Sequence, residues 1–473
     1  MKKPNLLFLY TDEQRFDTLA AYGNPQIEMP NLNRFAEKAT VFDECYVTQP
    51  VCTPSRSTLL TGLYPHTNGC TANNIPLSAD TRCFPELLND PEYVTGHYGK
   101  WHLGDEIFAQ HGFQHWRGIE DQYRAHYSEG RPRDALSDYS KFLIEENGLQ
   151  PEGMDYFHRG AAARLPEKYC KPRYLAREAC AFLRENQDKP FVLYVNFLEP
   201  HMPFFGPRDE QYDPDSIPLP DNYDNPPGED QHPRPLGLYH KWQESIPTEK
   251  ETRELIARYW GLCSLVDSYA GQILETLEEL GLDENTIVVY TSDHGDMMGS
   301  HQLVAKTVMY QESVRVPFLI RTPGQKEARR VSGPVSQIDI TPTLLDLMGK
   351  MPPESLQGKS LKPWMESGKS LEDDIVIQWN GDNGKGPEQV PGIKAEVLEQ
   401  AYKDPVRTII THDGWRFTCS PLGFHELYNL NDDPGETKNL AIDPEHKPIM
   451  RDLRGRIVKW QEQNGDTVEL PEI

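Results

Sequence analysis

Short, uninterrupted apolar segments alternate with longer amphipathic segments through the first part of the chain. Residues 6–10, 191–197 and 286–291 are apolar segments of strand length. Residues 31–39 and 249–280 instead carry their apolar side chains at helical spacing. Strands that are apolar throughout are typical of a sheet covered by helices on both faces. The pattern therefore predicts an α/β fold with a large central sheet, mixed but mostly parallel, flanked by helices on both faces.

The pattern changes near residue 370, where we place a boundary between a larger α/β domain (1–370) and a smaller C-terminal α+β subdomain (371–473). Four short apolar segments bounded by turn residues follow the boundary and predict an antiparallel sheet: residues 375–379, 407–410, 415–418 and 426–430. Residues 445–463 again have helical periodicity. We expect them to form an amphipathic helix that packs on the small sheet.

Polar groups follow the predicted parallel strands at the points where the strands end. The pair Asp12-Glu13 follows the first, Glu199-Pro200-His201 the second and Asp293-His294 the third. In open α/β sheets, ligands bind at the carboxyl ends of the strands. Residues 206–235 come next after His201, and their Pro and Asp content predicts a long surface loop, either a rim of the pocket or a plain solvated connection.

The overall charge limits the classes of molecule that the protein is expected to bind. The chain has 473 residues, with Asp+Glu 73 against Lys+Arg 48 and a formal net charge of -25. Such a balance argues against nucleic-acid binding, which needs a basic face, and it means that an anionic substrate must be captured by a local group of cations. No apolar segment approaches the ~20 residues of a membrane span. The 8 Cys residues show neither disulfide-scaffold nor zinc-site spacing, so they leave the compartment open.

One short motif carries the most chemical information. Cys52-Thr53-Pro54-Ser55-Arg56 is followed by Leu60-Thr61-Gly62, giving C-x-P-S-R-x-x-x-L-T-G. This closely resembles the signature of the type I sulfatases of the alkaline phosphatase superfamily. The resemblance implies that a maturation enzyme oxidises Cys52 to formylglycine, whose hydrated aldehyde is the nucleophile of covalent catalysis. Arg56, one helical turn beyond Cys52, would hold and polarise the hydrated group because a guanidinium stays charged and offers several donors.

Five further segments resemble the same family in the same order along the chain: 5–13, 99–104, 200–204, 291–317 and 425–440. The resemblance implies roles for their polar residues. Lys100 would stabilise charge on the sulfuryl oxygens and His102 would accept a proton as sulfate leaves. His201 would contact the leaving-group side, and Lys306 would bind the bridging oxygen.

The resemblance also implies one divalent cation, bound by Asp12, Glu13, Cys52, Asp293 and His294. Glu13 departs from the more common Asp, and His294 departs from the Asn that is common in arylsulfatases. The carboxylates favour a hard cation, whereas a His ligand weakens the case for calcium alone. Ca²⁺ is therefore expected, with Mn²⁺ and Zn²⁺ as alternatives.

Three functions remain to be compared. The first is hydrolysis of a small or oligosaccharide sulfate ester, with aromatic and polar rim residues binding the sugar: Trp116, Tyr123, Trp379 and Asn380. The second is a phosphonate monoester or phosphodiester hydrolase, which His294 favours, as does Asn73 in a segment that resembles N-G-T-P-L. The third, a non-catalytic glycan-binding relative, is disfavoured because the expected catalytic residues are present. The family resemblance implies export to the periplasm or the medium, although residues 6–10 are predicted as a core strand rather than a signal peptide.

Overall fold

A computed structural model describes residues 2–381 and 390–473. Its strands are β1 (Asn5–Asp12), β2 (Thr40–Tyr46), β3 (Val94–Gly99), β4 (His115–Arg117), β5 (Phe191–Pro200), β6 (Thr286–Ser292), β7 (Arg315–Val316), β8 (Phe318–Arg321), β9 (Arg329–Ser336), β10 (Ile375–Gln378), β11 (Arg407–Ile410), β12 (Trp415–Cys419) and β13 (Glu426–Asn429). Its α-helices are α1 (Pro30–Ala36), α2 (Cys52–Thr61), α3 (Pro65–Asn68), α4 (Phe84–Leu88), α5 (Asp138–Lys141), α6 (Arg159–Ala163), α7 (Lys171–Glu185), α8 (Pro233–Gln243), α9 (Glu249–Glu279), α10 (Gln311–Val314), α11 (Ile340–Leu347), α12 (Lys362–Ser367), α13 (Ala395–Lys403) and α14 (Lys447–Asn464).

The larger sheet is mixed and mostly parallel, as the apolar pattern predicts. Within the described residues it runs β4-β3-β5-β1-β6-β8-β2-β7, and β9 pairs with β2. The strands from β4 to β6 are parallel to one another, whereas β8 runs antiparallel to β6. The carboxyl ends of β3, β5, β1 and β6 therefore meet at one edge of the sheet.

Alternate residues of the central strand enter two separate cores. Leu7 and Leu9 of β1 lie in the core that holds α7 and α9, whereas Leu6 and Phe8 lie in the core that holds α2 and α11. This alternation follows from the two-residue period of a strand. Because both faces are covered by helices, every residue of β1 is buried. The prediction of a sheet flanked on both faces is confirmed.

The C-terminal part contains the predicted antiparallel sheet, in the order β10-β11-β12-β13. One face packs on α14 through Phe417 and Ile457, in a core of its own. The other face contributes Ile377 and Ile410 to a core of the larger sheet. The domain boundary near residue 370 falls between β9 and β10 and stays a prediction.

Three predicted boundaries differ from the structure. Helix α1 ends at Ala36 rather than at residue 39, because the chain turns there to enter β2 at Thr40. Helix α14 begins at Lys447, after a short 3-10 turn. The predicted loop at 206–235 ends early, because α8 begins at Pro233. Within the described ranges, the structure contains no helix with the length and apolar character needed to cross a membrane.

Candidate active site

Four parallel strands deliver the candidate residues to one edge of the sheet. Asp12 ends β1, Lys100 follows β3, His201 follows β5 and Asp293 follows β6. Because β1 lies between β5 and β6, the groups at these ends are neighbours. The edge is therefore the candidate active site that the strand ends predict.

Gly99 lets the chain turn sharply before Lys100. Its φ is +118°, and a Cβ at this position would lie 1.9 Å from the carbonyl oxygen of Asn196 on β5. No L side chain fits that space, and the conformation itself favours glycine. The turn brings Nζ of the fully buried Lys100 to 2.5 Å from Oδ2 of Asp12.

Helix α2 places Cys52 and Arg56 beside these groups. Cys52 is its first residue, and every residue of the helix is buried. Arg56 donates from Nη2 to Asp12 Oδ2 and from Nε to Asp293 Oδ2, each at 2.8 Å. A third donor, Nη1, reaches the carbonyl oxygen of Lys100 at 2.9 Å. The guanidinium thus ties together the ends of β1, β3 and β6.

Four buried side chains converge on one point and fit a divalent cation. Ligand atoms of Asp12, Cys52, Asp293 and His294 all lie within 4.8 Å of one another. Nε2 of His294 is 3.2 Å from Sγ of Cys52 and 3.8 Å from Oδ1 of Asp12. Oxygen and imidazole ligands of this kind suit calcium, manganese or zinc. The structure therefore brings together four of the five predicted ligands.

The acidic surroundings favour a positive charge at the point where the four side chains meet. Burial lowers the pKa of His294, but Asp293 and Cys52 outweigh it and raise the pKa to about 9. A bound cation would take the place of that proton, because metal ligation requires the neutral imidazole. Burial and Asp12 raise the pKa of the Cys52 thiol, yet Lys100, Lys306 and His294 together bring it below its usual value.

Glu13 is the fifth predicted ligand and lies at the side of this cluster. Its φ is +70°, and neither of its buried carboxylate oxygens accepts a hydrogen bond in the described structure. Oε2 lies 2.8 Å from Nζ of Lys306 and 3.3 Å from Nε2 of His201. Burial raises the pKa of Glu13 to about 8, although Lys306 opposes the rise. The Lys306 ammonium is thus the nearest positive charge to this buried carboxylate, whose position beside the cluster fits a further ligand for a cation.

His102 is fixed by one hydrogen bond from its backbone and one from its ring. Its backbone N–H donates to Glu106 at 2.6 Å, which fixes a turn where φ is +60°. Nε2 donates to Oδ1 of Asn74 at 2.9 Å, so Nδ1 keeps its lone pair; this buried atom has no partner in the described structure. Burial and then Lys100 and Arg56 hold the pKa of His102 well below its usual value. A neutral imidazole with a free nitrogen is suited to accept a proton.

His201 and Arg159 lie next to one another on the opposite side. His201 contacts the carbonyl oxygen of Met202 from Nδ1 at 2.6 Å, and Arg159 Nη1 is 3.3 Å from the same nitrogen. Burial and the positive charge of Lys306 hold the pKa of His201 well below its usual value. Arg159 itself is anchored by Glu120, which also pairs with Lys171.

The structure places some of the predicted substrate-binding and rim residues at the site and others in the interior. Asn73 is exposed, and its Oδ1 accepts from the N–H of Thr53 at 3.0 Å, so it lies beside Cys52. Tyr123 lies against the ring of His102, with centroids 4.4 Å apart. Trp116 and Trp379 are 7% and 2% exposed, so their prediction as sugar-stacking rim residues is wrong. Both rings fill the interior instead.

Asn380 is the fourth residue that the sequence predicts at the rim. Its side chain donates to Gln49 and accepts from Arg407, so both of its polar groups bond within the protein.

Sequence reasoning missed four residues of the site: Asn74, Glu106, Glu120 and Arg159. The first two had a signal, since Asn74 adjoins Asn73 and Glu106 follows the G-K-x-H segment closely. The pair Glu120 and Arg159 had none, because no motif links them.

Comparisons with known proteins agree on one family. The family model described as Sulfatase matches residues 4–350. An ulvan-active sulfatase of Formosa agariphila is 28% identical over 98% of this chain and 82% of its own length. An N-acetylglucosamine-6-O-sulfatase of Bacteroides thetaiotaomicron is 29% identical over 98% and 87%. The solved phosphonate monoester hydrolase of Silicibacter pomeroyi shares the fold, with a TM-score of 0.77 and 22% identity over 98% of this chain and 96% of that one.

Proposed function

Because the chain belongs to the sulfatase family and is a sulfuric ester hydrolase, we propose that it removes sulfate from a carbohydrate, using a formylglycine made from Cys52 and one divalent cation. The observation that carries this proposal is the position of Cys52. Its Sγ lies 3.2 Å from His294 Nε2 and 3.7 Å from Asp12 Oδ1, beside a cluster of buried cations. A plain structural cysteine has no need of such neighbours.

The nucleophile and the cation would occupy the same small space. Asp12, Glu13, Asp293 and His294 would hold the cation, which would screen the anionic ester and lower the pKa of the attacking hydroxyl. Once hydrated, the aldehyde made from Cys52 supplies two hydroxyls on one carbon, one to attack sulfur and one to give up its proton as sulfate leaves. The producing cell must supply the maturation enzyme.

Three cations would neutralise the sulfate group. Arg56 and Lys100 are fully buried and already aimed at this point by Asp12. Lys306 is held on the other side by Glu13. Preorganised charges in a water-excluded site stabilise developing negative charge without reorganisation. Lys306 would contact the bridging oxygen and so assist departure of the alcohol.

The two histidines would divide the proton transfer and the leaving-group contact. His102 would accept the second hydroxyl proton at Nδ1, the nitrogen that its bond to Asn74 leaves free. His201 would contact the leaving-group side, where Arg159 also lies. Asn73, whose side chain reaches the backbone of Thr53 in the first turn of α2, would contact the substrate beside Cys52.

A carbohydrate substrate is supported by the names of the relatives. One relative acts on ulvan and another removes the 6-O-sulfate of N-acetylglucosamine, and both align over 98% of this chain. Their identities are below one third, so the sugar and the position of its sulfate are matters for experiment. The Tyr123 ring beside His102 gives a sugar an aromatic contact at the mouth of the site.

His294 favours a second candidate function. A phosphodiester carries one negative charge, as a sulfate ester does, so the same cations could serve a phosphonate monoester or phosphodiester hydrolase. The likeness of fold to a phosphonate monoester hydrolase is consistent with this alternative. The family match and the two sulfatase relatives favour the sulfate ester.

The test is sulfate release, measured by ion chromatography, from a panel of sulfated mono- and disaccharides. The protein is produced together with a formylglycine-generating enzyme, and a phosphodiester and a phosphonate monoester are assayed in parallel. We expect sulfate from one or two sugars at rates well above those for the phosphorus esters. Fast hydrolysis of the phosphorus esters with no sulfate release would reject the proposal and favour the alternative.

A further inference from the structure

The segment between β4 and α7 builds an arc along one side of the site. Tyr123 lies against the His102 ring, and its hydroxyl accepts from Arg159 Nη2 at 3.1 Å. Arg159 Nη1 then reaches His201 at 3.3 Å. The arc His102–Tyr123–Arg159–His201 therefore connects the two proposed catalytic histidines. Tyr123 is half-buried and the Arg159 side chain is 14% exposed, so a substrate entering the site can contact both.

Arg159 is rigidly held from behind. Glu120 accepts from Nε at 3.0 Å and from Nη2, and its other oxygen pairs with Nζ of Lys171. Glu120 is buried, but Arg159 and Lys171 hold its pKa at about 2, so the carboxyl is ionised. An arginine fixed through Nε and Nη2 presents its remaining nitrogen in one direction.

That remaining nitrogen has no acceptor of its own. A carbonyl oxygen can only accept, so the 2.6 Å contact from His201 Nδ1 to the carbonyl oxygen of Met202 places a hydrogen on Nδ1. Nδ1 therefore cannot also accept from Arg159 Nη1. Within residues 2–381 and 390–473, the Nη1 hydrogens meet no other hydrogen-bond acceptor.

The positive charge around Arg159 is also only partly neutralised by neighbouring carboxylates. Arg159 and Lys171 are two cations that share the single carboxylate of Glu120. Glu199 lies close by, but its Oε2 is buried without a partner, and burial raises its pKa to about 7. A buried positive charge without a full counter-charge is costly, and an anionic ligand would remove that cost.

A cavity lies where these groups meet. It is lined by Arg159, Lys171, Glu199 and His201, with an apolar wall that includes Leu198. Because His201 belongs to its lining, the cavity adjoins the leaving-group side of the proposed reaction. A guanidinium nitrogen at the edge of a cavity suits a carboxylate or a sulfate, because it provides charge-assisted hydrogen bonds.

We propose that Arg159 determines specificity by binding a second acidic group, a carboxylate or another sulfate, on the sugar from which sulfate is removed. This inference rests on the proposed function and adds to it a class of substrate, a sugar with two acidic groups. It also explains how a chain with a net charge of -25 recognises a doubly charged substrate, since the cations are gathered locally.

The experiment compares matched pairs of sulfate esters with the matured enzyme. Glucose 2-sulfate is paired with glucuronic acid 2-sulfate, and N-acetylglucosamine 6-sulfate with N-sulfoglucosamine 6-sulfate. In the pair that is turned over, we expect kcat/KM to be roughly ten- to hundredfold higher for the member with the second acidic group, since a hydrogen bond to a charged group accounts for a factor of that size. Arg159→Gln should abolish that preference, so that kcat/KM falls by this factor more on the acidic member than on the neutral member.

Two further variants separate recognition from structure. Arg159→Lys keeps the positive charge and a partner for Glu120, so it should retain part of the preference for the acidic member. This variant provides the test if Arg159→Gln fails to fold. Arg177→Gln removes an arginine that is 44% exposed and should change neither member's kinetics. An equal loss on both members of a pair, or a wild-type enzyme without preference for the acidic member, would overturn the inference and leave the proposed function standing. Absence of sulfate release from every ester would reject the proposed function and the inference with it.

Discussion

The Sγ atom of Cys52 lies 3.2 Å from Nε2 of His294, and neither side chain has significant contact with solvent. The other ring nitrogen, Nδ1, donates to the carbonyl oxygen of Gly295 at 2.9 Å. A carbonyl on one nitrogen fixes the tautomer and directs the lone pair of the other toward a metal. Nε2 of His294 is therefore oriented toward the carboxylates of Asp12 and Asp293 as well as toward Cys52.

His294→Asn should change the preferred cation. The substitution replaces a nitrogen ligand with an oxygen ligand, and an all-oxygen site favours calcium over zinc. We expect the chelator-stripped variant to recover activity best with Ca²⁺ and to lose what Mn²⁺ or Zn²⁺ restores in the wild type. The measurement is activity after adding each metal, with bound metal determined by mass spectrometry. His126→Asn, at an exposed position, is the control, and an unchanged order of metals in His294→Asn would contradict the ligand assignment.

Cys52→Ala should abolish turnover and leave the fold intact. The substitution removes the precursor of the nucleophile but only one buried atom, so we expect Tm to fall by a few degrees at most. Sulfate release and circular dichroism make the comparison. Cys419→Ala, which removes a buried thiol from the second sheet, should keep its activity. Residual turnover by Cys52→Ala near the wild-type rate would reject the formylglycine mechanism.

Asp293→Ala and Asp12→Ala should each lose both bound metal and activity. Each carboxylate is fully buried and paired with Arg56, so its removal leaves the buried cations with one counter-charge fewer. We therefore expect lower Tm values as well, by the equivalent of about 3–5 kcal/mol. Asp155→Ala, an exposed partner of Arg124, should keep full metal content. Metal at wild-type stoichiometry in either site variant would remove that residue from the ligand set.

Gly99→Ala should both destabilise the protein and impair catalysis. A methyl group would lie 1.9 Å from the carbonyl oxygen of Asn196, so the backbone before Lys100 must move. Overpacking of this kind costs about 1–3 kcal/mol, and the positive φ adds to it. Thermal unfolding and kcat are the measurements. Gly455→Ala lies in α14 with open space around it and should instead stabilise by roughly 0.5–1 kcal/mol. A Gly99→Ala protein with normal Tm and kcat would show that the turn tolerates the methyl group.

The ion pairs of Glu120 with Arg159 and Lys171 predict that the stability of the protein depends on pH. The pKa of Glu120 is about 2 in the folded protein and 4.5 in its reference state, so its contribution is complete above pH 4.5 and disappears as the pH falls toward 2. Glu120→Gln should therefore lower Tm most at neutral pH, by up to the equivalent of about 3 kcal/mol, and the difference should shrink below pH 4.5. Glu152→Gln, at an exposed position, should show no such trend. A Tm difference that stays constant down to pH 3 would contradict the ionised pair.

The fold and the meeting of Asp12 with Asp293 were predictable because both depend on local pattern, whereas the family resemblance implied the other candidate metal ligands. Apolar strands that end in acidic residues indicate where Asp12 and Asp293 lie, and the parallel order of β1 and β6 makes them neighbours. The aromatic residues at the rim of the candidate site were not predictable in the same way. Trp379 and Tyr123 look alike in sequence, yet packing against the rest of the chain buries the first and leaves the second at the site.

The arc around Arg159 escaped prediction for a different reason. Glu120 and Arg159 are 39 residues apart, and no strand or helix connects them in a fixed register. Their contact exists because the segment between β4 and α7 folds back on itself. Residues that determine specificity often lie on such connecting segments, where a single sequence offers no periodic signal.

The residue Cys52 is 2% exposed, at the start of a helix in which every residue is buried. A second enzyme cannot enclose a side chain in that position without first unfolding the surroundings. The proposed oxidation of Cys52 would therefore belong to the interval between synthesis of this segment and closure of the domain around it. Folding and maturation would then compete for the same short time, and a chain that folds before oxidation would become a stable protein without its nucleophile. The fraction of active protein in a cell would then depend on whether Cys52 was oxidised before the domain folded, as well as on the amino-acid sequence.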